Sequence, residues 1–216
     1  MNRRSFVAAI AGTGVSAALA GCTSLLSQSP PDGLDAVEED ADQLPRPTLG
    51  SGPVTIDVYE DFACPACHQF GAHVFPELEE SLIEPGEVTY RHFEYVLPVD
   101  DRSVHMANAA RAVQDDTRTD GDPNGEFFEY KRAVFRADDW SDETLVALAE
   151  EVGADGAAIA SALEEETYFP TVAADWYHGD DRGVSGTPTV FVEDEQIGGE
   201  TVGELLEEIH AAVDAQ

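Results

Sequence analysis

The sequence predicts an α/β domain in which a block of helices is inserted between two αβ halves. Three observations carry this. A β-rich run, Val54 to Tyr59, is followed by a helical pattern and then by an alternating run, Val88 to Phe93. Strand, helix, strand in that order points to a right-handed parallel βαβ unit. From about Asp100 to Glu165 the apolar spacing is helical, and the chain then returns to a strand, a turn, a short antiparallel strand and a terminal amphipathic helix.

At the N-terminus, Arg3 and Arg4 precede Phe6 and Val7, and a weakly apolar Gly/Ala-rich stretch runs to Ala20. This is similar to a twin-arginine export signal, and is too short and too Gly-rich for a membrane span. It ends in Leu19-Ala20-Gly21-Cys22, which resembles a lipoprotein cleavage motif. Residues 1–21 are therefore expected to be a signal peptide. The mature protein is expected outside the cytoplasm, anchored to the outer face of the cytoplasmic membrane by a lipid on Cys22. Residues 22–52 are rich in Pro, Ser, Asp and Glu with little apolar periodicity. They predict a disordered acidic tether, with a short helix at about 34–42 as its one candidate element.

The αβ domain is assigned to residues 53–98 and 167–216. Its first strand is bounded by Gly52-Pro53. Phe70, Val74, Phe75, Leu78 and Leu82 then fall at helical spacing, and Pro85-Gly86 ends that helix. The insertion, 99–166, opens with an alanine-rich helix from Ser103 to Val113. The face carrying Phe127, Phe128 and Tyr130 is assigned to core rather than to a substrate groove, and Trp140 and Trp176 to packing. Ser141 caps a helix whose first turn holds Asp142 and Glu143. Short helices are expected over 157–165 and 172–177. Pro188 directly precedes a core strand, where proline removes a ladder donor. A cis Thr187–Pro188 bond would account for it.

Lys+Arg is 11 against Asp+Glu 44, a formal net charge of −33, and Lys131 is the only lysine. The acids are spread along the chain, as in a halophilic protein kept soluble at high salt by carboxylates. No basic stripe exists to meet phosphates, which argues against nucleic acid as a partner.

Of three cysteines, Cys22 belongs to the export segment, so Cys64-Pro65-Ala66-Cys67 is the one pair left in the folded part. No disulfide framework is possible with two thiols. If Cys64 ends a loop and Cys67 lies inside a helix, the first sulfur sits at a helix N-terminus, where unpaired N–H groups favour thiolate. Pro65 suits the first helical turn. That arrangement fits thiol–disulfide exchange. The other histidines, His73, His92, His105, His178 and His210, lack metal-site spacing and are assigned as surface or satisfied residues. No metal and no bound cofactor are expected.

Two segments together, Asp61-Phe62-Ala63-Cys64-Pro65-Ala66-Cys67 with Phe70, and Val184-Ser185-Gly186-Thr187-Pro188-Thr189-Val190-Phe191-Val192, flank the helical insertion. With the closing Gln196-Ile197-Gly198-Gly199, they resemble the DsbA-like branch of the thioredoxin superfamily. The resemblance covers nearly everything from Pro53 on. It implies a thioredoxin fold with a helical insertion and a thiol–disulfide oxidoreductase acting on protein substrates. By that resemblance Cys64 is the nucleophile, Cys67 the resolving thiol, and Thr187 and Pro188 the loop that meets an extended substrate. A redox partner resets the pair.

Two departures from the family stand out. Relatives often carry a buried acid six positions before the first cysteine, and that position is Val58 here. Asp57 should point to the other strand face, and Glu60 is a candidate substitute, though a solvated surface carboxylate is its expected identity. Between the cysteines, Pro65 and Ala66 tune the pair, and Ala66 stands where the strongest oxidants of the family have histidine, which suggests a weaker oxidant. Two other readings remain open: a lipid-tethered, non-catalytic binding protein of the same fold, and a c-type haem site using Cys64-x-x-Cys67-His68.

Overall fold

A computed structural model of the protein describes residues 29–199 and 201–216. The leader and Cys22 lie outside these residues. Five strands form one mixed sheet in the order β1-β3-β2-β4-β5: β1 Thr48–Gly50, β2 Val54–Glu60, β3 Val88–Glu94, β4 Thr189–Val192 and β5 Glu195–Ile197. The central β2 pairs parallel with β3 and antiparallel with β4. Elements cover both faces of β2, so nearly all of it is buried, including Asp57 and Glu60, although apolar Val54, Ile56 and Val58 alternate with polar residues.

Between β2 and β3 runs one helix, α1, over residues 65–83. Its turns alternate between α, at Pro65–Gln69 and Phe75–Leu78, and π, at Phe70–Val74 and Glu79–Ile83. The first π turn has a local cause. Pro76 has no N–H for the carbonyl four residues back, and its ring crowds that carbonyl. The ladder slips just before it, with the Phe75 N–H reaching the Phe70 carbonyl. The slip also turns Phe70, Val74, Phe75 and Leu78 into the core together.

The helical block contains α2 Ser103–Thr117, α3 Phe127–Arg136, α4 Asp142–Glu151, α5 Gly156–Glu164 and α6 Phe169–Asp181. Ser141 caps α4 by accepting from the Thr144 N–H, as the sequence predicts. α6 is longer than the expected 172–177. It opens with Pro170 in its first turn and brings Trp176 into the core. Phe127, Phe128 and Tyr130 are buried, as expected of a core face. The terminal helix α7, Val202–Asp214, starts with a capping box between Thr201 and Glu204.

The described part of the segment expected to be a free tether lies against the domain. Leu34 and Leu44 are buried in the main core. Gln43 donates to the Thr167 carbonyl and accepts from Thr171. Arg46 pairs with buried Asp175 and stacks over the Phe93 ring, 3.7 Å from its centroid. Thr48 to Gly50 then add an edge strand to β3. Two leucines among many acids were enough to seat the arm once Asp175 supplied a buried partner for its arginine. Among the described residues, no helix is long and apolar enough to cross a membrane.

Candidate active site

β2 ends at Glu60 and the chain turns at once into α1. Asp61 makes that turn: its Oδ1 accepts from the Ala63 N–H at 2.7 Å and from the Ser103 hydroxyl at 2.9 Å, and its Oδ2 accepts from the Leu97 N–H. Burial pushes the Asp61 carboxyl up to about 6 against these hydrogen bonds. The residue thus stitches three segments together beside the cysteines. An aspartate two positions before a loop N–H is a readable turn signal, but sequence reasoning assigned it no role.

Cys64 occupies the N-cap of α1 with extended backbone angles, and Pro65 follows at the first helical position. The Cys64 thiol lies 3.3 Å from the Thr187 carbonyl. The Thr187–Pro188 peptide is cis. The structure thus brings together Cys64, Cys67 and the Thr187–Pro188 loop, as expected, while Pro65 and Ala66 stay exposed. Both cysteines are free thiols. The Cys64 thiol is pulled down to about 5, first by a hydrogen bond from Cys67. Partial burial opposes this; the Cys67 and Ala66 N–H groups reinforce it, as does the nearby Thr187 hydroxyl, which has no hydrogen-bond partner of its own. Cys67, fully buried, is pushed well above the usual thiol range by desolvation, by the hydrogen bond it gives to Cys64 and by the charge of Glu60.

Glu60 is therefore not a surface carboxylate. It is 1% exposed and shares a strand face with Val58, one alternation nearer the cysteines. Burial alone would raise its pKa, but Lys131 and His92 hold it below the ordinary value. Lys131 donates to it from α3, and His92 lies 3.3 Å away. The other side of His92 faces Glu94 at 3.2 Å. The Tyr90 hydroxyl is buried within the fields of both Glu60 and Cys67. The isolated sequence hides this cluster because β3 and α3 supply most of it. Asp57, as expected, points to the opposite face, where Arg91 and Arg182 clamp it.

His68 follows the pair on α1. Its Nε2–H donates to the Phe62 carbonyl at 2.6 Å, and its ring packs on Phe135 with centroids 4.9 Å apart. The nitrogen a haem iron would need is committed to that carbonyl. Among the described residues, no cluster of His, Cys, Asp or Glu could hold a metal ion.

A cleft of about 370 Å³ opens beside the cysteines between Ala66, Phe70, Pro188, Ile197 and Leu205. A second cavity, of about 230 Å³, lies on the other side of α1 against α3.

The thioredoxin family model matches residues 49–215. Disulfide bond formation protein D of Bacillus subtilis (strain 168) is 25% identical over 171 residues, covering 76% of this chain and 75% of its own. Among solved structures, oxidised BdbD from Bacillus subtilis superposes with a TM-score of 0.68 at 22% identity, over 83% of this chain and 98% of that one. Chlamydia trachomatis DsbA gives 0.69 at 22%, over 87% and 99%. The mixed five-stranded sheet, the helical insertion and the matched span agree: the chain has the fold of the DsbA structures and belongs to the thioredoxin family.

Proposed function

We propose that the protein exchanges disulfides with exported proteins through Cys64 and Cys67, and that it acts as a disulfide donor. The carrying observation is the asymmetry of the two sulfurs. Cys64 sits at a helix N-terminus with its thiolate favoured, and Cys67 is buried with its thiol favoured. A stabilised Cys64 thiolate stabilises the reduced form and makes the disulfide the reactive state.

In the forward reaction a substrate thiolate attacks the Cys64 sulfur. The Cys64–Cys67 bond breaks and its electron pair leaves on Cys67, which takes a proton. A second substrate thiolate then attacks the substrate sulfur of the mixed disulfide, a substrate disulfide forms, and Cys64 leaves as a stable thiolate. Glu60, anionic among Lys131 and His92, takes the Cys67 proton whenever that thiol must become the attacking group. The Thr187–Pro188 loop and the cleft along Ala66 hold the substrate as an extended segment. Pro65 and Ala66, exposed between the sulfurs, tune the pair. A partner of higher potential reoxidises it.

The leader motif supports export, and Cys22 supports anchoring by a lipid. Intact mass of the mature N-terminus tests both. Equilibration of the soluble domain with defined glutathione buffers tests the direction. A potential well above that of thioredoxin, about −270 mV, is expected. A potential at or below it would make the protein a reductase. The absence of a reversible two-electron couple would leave the non-catalytic binding reading.

A further inference from the structure

The second cavity combines an aromatic floor with a basic lining. Its floor is aromatic: Phe75 from α1, and Phe128 and Phe135 from α3. Gly71 lets the two helices approach, since a Cβ there would stand 2.8 Å from the Phe135 ring. Its polar lining holds the cations Lys131, Arg132 and Arg136 together with His68, and no carboxylate lines it. Three of the chain's 11 Lys+Arg residues therefore meet in one cavity of a protein carrying 44 acids.

The three cations are not equivalent. Lys131 is engaged by Glu60, and Arg132 is held by Glu79 and Glu129. Arg136 is exposed at the rim. Every other arginine among the described residues has a carboxylate within 4.0 Å, from Arg46 with Asp175 to Arg182 with Asp57. Arg136 alone among them has none. In so acidic a chain an arginine lacking a carboxylate is the exception, and it stands beside an apolar floor in a cavity also lined by His68, one residue past the cysteine pair.

We propose that this cavity is a second docking site, for an acidic segment of a client or partner protein. An apolar side chain of that segment enters over Phe75, Phe128 and Phe135, and a neighbouring carboxylate pairs with Arg136. The argument is charge complementarity. A carboxylate-covered protein repels acidic clients everywhere except where cations gather; the aromatic floor adds an apolar contact that salt does not screen, while the pair with exposed Arg136 weakens as salt rises. The inference rests on the thiol-exchange reading only for its purpose; the docking itself is separable from the chemistry.

The test uses the Cys64→Ser, Cys67→Ser protein, which binds without exchanging, and two fluorescent peptides differing only in Glu-Phe-Glu against Gln-Phe-Gln. Anisotropy is read at low and at molar salt. The acidic peptide should bind more tightly, and Arg136→Glu should remove that preference, a loss on the order of fivefold or more. Arg136→Lys should keep most of it. Arg118→Glu makes the same change of net charge at another exposed arginine and should leave the preference intact. Equal binding of both peptides, or an equal loss in Arg118→Glu, would overturn the proposal. So would displacement by phenylacetate of a peptide whose carboxylates are dispensable, which would make the cavity a small-molecule site. Failure of wild-type protein to exchange disulfides would count against the oxidoreductase reading and not against docking.

Discussion

Cys64 sets the pH dependence of the reduced protein. Its thiol is lowered from an ordinary 9.0 to about 5. A lowered pKa contributes stability that is full above the unfolded value and is lost as pH falls through the folded value. The oxidised form has no such thiol. The stability of the reduced form relative to the oxidised form should therefore climb from about pH 5 to about pH 9. Cys67, raised rather than lowered, adds nothing in that window. Thermal unfolding of both forms across pH checks this, and a difference that stays flat would contradict the thiolate assignment. Thr187→Val should raise the thiolate midpoint seen by ultraviolet absorbance, because the buried Thr187 hydroxyl has no hydrogen-bond partner of its own and favours both thiolates from beside them. Glu60→Gln tests the acceptor. Mixed disulfides on Cys64 should resolve more slowly by about a hundredfold near neutral pH. Lys131, left buried without its carboxylate, should cost about 3–5 kcal/mol. Glu60→Gln with Lys131→Met should recover folding and not resolution; recovery of both would reduce Glu60 to a structural residue.

At the scale of elements, the strands and the cysteine helix were legible because their signals are local. Gly52-Pro53, Pro85-Gly86 and the apolar spacing between them mark β2, α1 and β3. The π turns were not, since their apolar residues fit an α period nearly as well and only the slip at Pro76 separates the two. The arm was missed for another reason. Its acidic, Pro-rich composition reads as tether, while its anchoring depends on Asp175 and Thr171, more than a hundred residues away. The two readings differ in one measurable number. Leu34 is buried in the core although it lies upstream of every strand. Leu34→Ala should cost about 2–5 kcal/mol in denaturant unfolding. An unchanged midpoint would return the arm to the tether class.

Over the whole molecule, the pair of cysteine and proline motifs gave the architecture, and the site's chemistry came only in part. Cys64, Cys67, Thr187 and Pro188 converge as their order in the chain implied. Glu60 and its partners did not show themselves, because a carboxylate among 44 others carries no mark of burial. The same excess of acids makes the last prediction. A net charge of −33 repels itself across the folded surface. Most cations of the described part are already spent in ion pairs at or below the surface, so they offer the remaining acids little relief. Screening must come from salt. The Debye length falls from about 10 Å at 0.1 M to about 3 Å at 1 M. The melting temperature should rise steeply with added sodium chloride at the dilute end and flatten toward molar salt, where little range is left to screen. Buried pairs such as Arg111 with Asp175 are hardly screened, so the rise belongs to the surface. A rise that instead continues linearly into molar salt would assign the effect to salt exclusion from the protein surface. No rise at all would remove the halophilic reading.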